Sequence, residues 1–198
     1  MKPGERVSPK CPAVLEGRRE GRVRAAPVPA CSAWTGGLEL FSKVANGPPM
    51  SHTYCSSLFH CVFSTKDRRK AIAPELQERL WAYMGGIARE NGMVALAVGG
   101  TEDHAHLLLS LPSTMTIAGA MQKIKGGSSL WLHESCGLTG FEWQKGYGAF
   151  TIGISQVDAT VRYFAGQTEH HRKRDFQAEF LAILKQHGME YDPRYVWG

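Results

Sequence analysis

The chain has 198 residues, of which 43% are hydrophobic, and a formal net charge of +5. That length suits one domain with an appendage, and the apolar fraction supports a real core, which excludes a wholly disordered chain. Residues 1–49 hold 8 Lys+Arg against 4 Asp+Glu, whereas residues 50–198 hold 15 against 14; the larger part is not broadly basic, so any contact with nucleic acid must come from local patches.

No apolar run approaches the ~20 residues of a membrane span, and the N-terminus lacks the apolar region of a signal peptide. The cysteines are Cys11, Cys31, Cys55, Cys61 and Cys136, with no Cys-x-x-Cys pair. That spacing argues against a zinc knuckle and favours a reducing, cytoplasmic setting. Residues 1–49 are rich in Pro, Gly, Ala and Arg and show no sustained period of 2 or 3.6. They read as a disordered leader or an upstream extension, with Met50 as a fresh start and 50–198 as the domain.

Residues 54–63 alternate as a strand: Phe59, Cys61 and Phe63 share one face, and Leu58, His60 and Val62 the other. A basic loop follows, containing Lys66, Arg68, Arg69 and Lys70. Pro74 suits the first turn of a helix, and Leu76, Leu80, Tyr83, Met84 and Ile87 recur at helical spacing up to Asn91-Gly92. Residues 93–98 form a second strand, and Gly99-Gly100 turns it into a third.

That third strand carries His104 and His106 one residue apart. Side chains alternate along a strand, so both imidazoles share a face, roughly 7 Å apart at Cα. Ala105, Leu107 and Leu109 take the face built for burial, with Asp103 and Leu111 assigned to that side as well. Imidazole is the commonest metal-ligand side chain; a solvated polar pair at a strand end fits the same pattern.

A second helix covers about residues 116–135, with Ile117, Met121, Ile124 and Leu132 inward. Gly126-Gly127 in its middle signals a close approach or a kink. Short strands follow at 142–144 and 149–152. Ser155 and Asp158 make a weak capping box for a third helix running to about residue 171. A basic cluster, Arg172-Lys173-Arg174, precedes a last amphipathic helix over 176–186 and an aromatic tail expected at the surface. The order β-α-β-β-α-β-β-α-α fits an α+β fold of the split β-α-β kind, ferredoxin-like or RRM-like. It has an antiparallel sheet with two helices on one face. The other face, holding His60, His104 and His106, is expected to be free.

At about 100° per residue, the third helix puts Val157, Val161, Phe164 and Ala165 in an apolar stripe. Tyr163, Gln167, His170 and Arg174 fall on the opposite side. An exposed tyrosine without chemistry fits this geometry too. A tyrosine hydroxyl with its usual pKa of about 10 is a poor nucleophile until a nearby cation or base activates it. A divalent metal on His104, His106 and the Gln167 amide oxygen would polarise a phosphate. That donor set suits Mn²⁺ or Mg²⁺, with Zn²⁺ or Ni²⁺ adventitious.

Five stretches, in order, carry a resemblance: 60–66 (HCVFSTK), 100–108 (GTEDHAHLL), 125–129 (KGGSS), 143–150 (WQKGYGAF) and 163–167 (YFAGQ). Over residues 50–198 the chain resembles the insertion-sequence 200/605 group of single-tyrosine transposases, including the repeat-associated relatives of bacterial chromosomes. The resemblance implies a DNA transposase in which the last-but-one helix carries a nucleophilic tyrosine. Tyr163 would attack a phosphodiester of single-stranded DNA, form a 5′-phosphotyrosine and release a 3′-OH, with His104, His106 and Gln167 holding Mg²⁺ or Mn²⁺. It also implies hairpin-marked single-stranded DNA as partner, association with the bacterial nucleoid, and a homodimer with sites shared between chains. The residue between the family's histidines is usually bulky and apolar; Ala105 departs from that, on the core side.

Candidate DNA contacts are His60, Lys66, Arg68, Arg69, Lys125, Arg172, Lys173 and Arg174. Two rivals use the same residues. One is a hairpin-binding module without catalysis, in which Tyr163 stacks on a base. The other is a small-molecule metallohydrolase built on His60, His104 and His106.

Overall fold

A computed structural model describes residues 54–167 and 175–197. The leader expected over 1–49 and the basic cluster Arg172-Lys173-Arg174 lie outside the described residues. The first strand, β1, spans Leu58–Ser64, and helix α1 spans Pro74–Glu90 with its proline in the first turn. Strands β2 (Val94–Gly100) and β3 (His104–Ser110) form a hairpin. Helix α2 runs over Ile117–Cys136; the Thr116 side chain caps its start by accepting from the Gly119 N–H at 3.1 Å. Strand β4 is Gly148–Thr151, helix α3 is Val157–Ala165 and helix α4 is Phe176–Gln186. The Asp175 carboxylate caps α4 by accepting from the Ala178 N–H at 2.8 Å.

The four strands form one sheet in the order β2-β3-β1-β4, every neighbouring pair antiparallel. This is the expected split β-α-β arrangement: β3 inserts between the two strands that α1 connects. Turning sharply into β3 requires Gly100. Its φ is 144°, and a Cβ there would lie 2.3 Å from the His104 carbonyl oxygen.

Helices α1 and α2 cover one face. Cys61, Phe63, Ala105, Leu107 and Leu109 point into it and meet Leu80, Met84, Met121, Ile124 and Leu132. The glycine pair does not break α2, which runs continuously over Ile117–Cys136. Gly127 lets Ile87 of α1 approach, since a Cβ would lie 2.9 Å from its Cδ1, while Gly126 faces open space.

The other face is not free. Val157, Val161 and Phe164 of α3 pack on Leu58, Leu96, Ala97 and Leu108. Burying these three side chains contributes roughly 1.5–3 kcal/mol each. Phe176, Phe180, Ile183 and Leu184 of α4 pack on Val62 and Phe150. The apolar stripe of α3 therefore finds its partner on its own sheet. A register shift between Ala95 and Ala97 helps, because it turns both Leu96 and Ala97 toward α3.

Smaller differences from the sequence reading have local causes. The stretch 142–144 makes a single bridge, Thr65 with Trp143, because it pairs only beyond the end of β1. The start of α3 is a short 3-10 turn, Ile154–Gln156, closed by the Gly153 N–H donating to Gln156 Oε1 at 2.8 Å rather than by a Ser155–Asp158 box. The tail exposes Tyr191 and Tyr195 but tucks Trp197 against Phe180. Among the described residues no helix is long and apolar enough to cross a membrane.

Candidate active site

Strand alternation brings His60, His104 and His106 to the face under α3 and α4, as expected, but buries them: His104 and His106 are 0% exposed and His60 7%. Buried imidazoles need hydrogen bonds, and each finds one. His106 Nδ1 lies 2.9 Å from His60 Nε2, and His104 Nδ1 lies 2.6 Å from Asp103 Oδ1. If His106 donates from Nδ1 to His60, its Nε2 carries a lone pair. Asp103 likewise orients His104, as second partners of metal-binding histidines do. The sequence pattern had put Asp103 on the far face. It lies instead in the turn before β3, and its carboxylate returns to His104 and accepts from Thr101 Oγ1 at 2.9 Å.

Helix α3 supplies Tyr163 and Gln167 follows its last turn. The Tyr163 ring lies edge-on to His106, with centroids 5.9 Å apart, and Gln167 is 1% exposed. This side of α3 is polar, as the helical spacing indicated, but it faces α4. There Glu179 meets it: Oε1 accepts from the Tyr163 hydroxyl and, at 2.9 Å, from the Gln167 amide. The same Oε1 is 3.2 Å from His106 Nε2, and Oε2 is 3.7 Å from His104 Nε2. One donor atom from each of His104, His106 and Glu179 falls within 4.8 Å of the others. The Gln167 carbonyl oxygen is buried and accepts no hydrogen bond among the described residues.

Burial pushes the Glu179 carboxyl up to about 7; His104 opposes that rise and Asp103 adds to it. Burial, with His106 and His187 nearby, holds His60 well below the usual imidazole range. A neutral His60 is thus available to hold His106. This geometry places His60 behind His106, outside the cluster of three donors. A cleft of about 390 Å³ reaches Tyr163 and Glu179 from outside, lined also by His60, Thr160, Gln186 and His187 among others.

Among the described residues, the basic candidates make other contacts. Lys66 pairs with Glu142 at 2.7 Å and Arg69 with Asp67 at 3.1 Å, both exposed, while the Arg68 guanidinium lies 5.5 Å from the Trp197 ring centre. The Lys125 ammonium donates to the carbonyls of Gln144 (2.6 Å), Lys145 (3.2 Å) and Gly146 (2.8 Å), and burial brings its pKa down to about 8. It ties α2 to the loop before β4.

Sequence reasoning missed Glu179, although a signal was present. Phe176, Phe180 and Ile183 recur at the core spacing of α4, and Glu179 sits three residues after Phe176 within that stripe. A carboxylate at a core position is rare unless something pairs with it.

Fold and site together define a split β-α-β domain whose second sheet face encloses paired imidazoles, a helical tyrosine and a carboxylate. Residues 53–167 match the family described as "Transposase IS200 like". The chain is 30% identical over 140 residues to the transposase for insertion sequence element IS200 of Salmonella typhimurium (strain LT2), covering 68% of this chain and 89% of that protein. The corresponding transposase of Salmonella typhi matches to the same extent, 30% over 140 residues. This protein belongs to the IS200-like transposase family, which implies DNA strand transfer. Among solved structures, a putative transposase from Deinococcus radiodurans R1 aligns at 20% identity and a TM-score of 0.48, over 61% of this chain and 98% of that one. A REP-associated tyrosine transposase bound to a REP hairpin aligns at 17% identity and 0.47, over 63% and 74%.

Proposed function

We propose that this transposase cleaves and rejoins single-stranded DNA at hairpin-marked ends through a covalent bond to Tyr163. The observation that carries the reading is the Tyr163 hydroxyl beside two buried imidazoles at the inner end of a cleft. The Tyr163 oxygen attacks the phosphorus and gives its proton to a neighbouring acceptor, for which Glu179 Oε1 is in position. The P–O3′ bond breaks, the departing 3′-oxygen takes a proton from solvent to become a hydroxyl, and the 5′-phosphate stays on the tyrosine. Attack by a new 3′-OH reverses the step, so phosphodiester energy is conserved.

His104 Nε2, His106 Nε2 and Gln167 Oε1 would hold a divalent cation, Mg²⁺ or Mn²⁺. What supports this is the donor set and the buried Gln167 oxygen without a hydrogen bond among the described residues. When bound, such a cation supplies Lewis-acid polarisation of the phosphate. Asp103 and His60 fix the two imidazole rings, and α4 with Phe176 stacked on His104 excludes water.

The partner is single-stranded DNA with hairpins, met on the nucleoid in the cytoplasm. Membership of the IS200-like transposase family supports a DNA partner. Exposed Lys66 and Arg69 and half-buried Arg68, together with Arg172, Lys173 and Arg174, would supply salt-dependent phosphate contacts. The assembly is a homodimer with shared sites. In this chain α3 covers its own sheet, and exchanging α3 between two chains would rebuild the same contacts in trans.

The test is incubation of labelled hairpin single strands with the protein and Mn²⁺. A covalent adduct should form and should vanish in Tyr163→Phe; binding without an adduct in the wild type would leave a hairpin-binding module. Mixing His106→Ala with Tyr163→Phe subunits should restore adduct if sites are shared. Heterodimers that form without restored activity would show a site contained in one chain.

A further inference from the structure

Glu179 is the one buried acid among the described residues, and it stands within an otherwise apolar stripe of α4. A carboxylate in that position is unfavourable unless cations or donors surround it. Its surroundings are two imidazole nitrogens at 3.2 and 3.7 Å, a tyrosine hydroxyl and an amide N–H at 2.9 Å.

Those separations have a second meaning. A cation with bonds of about 2.1 Å and angles between about 90° and 110° holds neighbouring ligand atoms roughly 3.0–3.5 Å apart. Both carboxylate oxygens face imidazole nitrogens near that spacing, one toward each histidine. A plain imidazole–carboxylate ion pair gives a similar arrangement, so the two must be separated by metal affinity.

We propose that Glu179 is a ligand of the divalent cation held by His104 and His106. The metal then fastens the C-terminal helix to the catalytic sheet. The proposal rests on the reading of His104 and His106 as ligands. It adds a donor from α4, on the far side of the segment 168–174 from the Tyr163 helix. Metal binding and the docking of α4 are coupled: apolar contacts already hold α4 on the sheet, and a cation on its carboxylate tightens that docking.

The experiment uses the full chain and Mn²⁺ alone, without DNA. Mn²⁺ is titrated by calorimetry and followed by its electron paramagnetic resonance signal. Amide hydrogen exchange is read over residues 176–186. Glu179→Gln, which keeps volume and neutral hydrogen bonding, should weaken Mn²⁺ binding by about 10-fold or more, on the scale of removing groups that support a metal site. Mn²⁺ should slow exchange in α4 of the wild type and not of this variant. His106→Ala should lose the metal more completely.

Unchanged Mn²⁺ affinity in Glu179→Gln, within about twofold, with metal lost in His106→Ala, would overturn the proposal and leave Glu179 as an ion-pair partner. Equal Mn²⁺ binding by His106→Ala and wild type would overturn the metal reading itself. If Glu179→Gln fails to fold, Glu179→Asp keeps the charge but withdraws it by one methylene. Weakened binding there supports ligation, and unchanged binding overturns it.

Discussion

The two faces of the sheet are equally buried and built from alternate residues of the same strands, yet they hold opposite contents. Under α1 and α2 the strands present Cys61, Phe63, Ala105, Leu107 and Leu109. Under α3 and α4 the same strands present His60, Ser64, His104 and His106 among Val62 and Leu108. On the first face stability comes mainly from shape and apolar area; its buried polar pair, the Trp143 indole N–H donating to Ser128 Oγ at 3.0 Å, is satisfied within the face. On the second, every polar group depends on a particular neighbour, so the packing is conditional on protonation, and under the proposed function on metal. Burial alone therefore does not identify a structural core. The chemistry of the buried atoms does.

Neighbours on β3 give the sharpest way to break this comparison. Leu107→Ala should destabilise the fold by roughly 2–5 kcal/mol, the range for large-to-small changes in a filled core. His106→Ala should change stability by much less and abolish covalent attachment to DNA. Denaturant titration and the adduct assay, run on both variants, read the two effects. Equal loss of stability in both would show that the second face is a core like the first.

Protonation gives the next effect. Glu179 rises from 4.5 to about 7 on folding, chiefly through burial. The folded state thus holds this proton more tightly than the unfolded chain does. The stabilisation is fully present below about 4.5 and is lost as pH rises through 7. In metal-free protein with a chelator, Glu179→Gln should be close to neutral at pH 4.5. By pH 8 it should be more stable than wild type, by roughly 2–3 kcal/mol at most. Thermal unfolding across that range checks the slope, and a pH-independent difference would remove the account.

Glycines at matching close approaches should differ least, but in a telling direction. A Cβ on Gly148 would meet Phe180 at 2.7 Å, Phe150 at 2.9 Å and Val62 at 3.0 Å, side chains packed together from α4, β4 and β1. Gly148→Ala should cost about 1–3 kcal/mol as overpacking and loosen α4. On the other face, a Cβ on Gly127 meets chiefly the end of Ile87, at 2.9 Å. Gly127→Ala should stay within about 1 kcal/mol, since alanine is the better helix former. Calorimetric melting of both variants compares them.

What the sequence by itself determined is local and periodic. Alternation along β1 and β3 assigned His60, His104 and His106 to one face, and the structure keeps them there. Helical spacing separated Tyr163 and Gln167 from Val157, Val161 and Phe164; both reach Glu179 with their polar ends, although the Tyr163 side chain also packs against that apolar cluster. The boundaries of α1 and α4 followed from Pro74 and from the apolar recurrence after Asp175. Only the tertiary structure decided what covers the imidazole face, that the stripe of α3 lands on its own sheet, and that Asp103 turns back to His104. It also decided that Glu179, 73 positions after His106, arrives beside both histidines. Periodicity records which side of an element is apolar, because that depends on neighbours three or four residues away. Which surfaces meet depends on packing between segments distant in the chain, and no spacing along one segment carries that information.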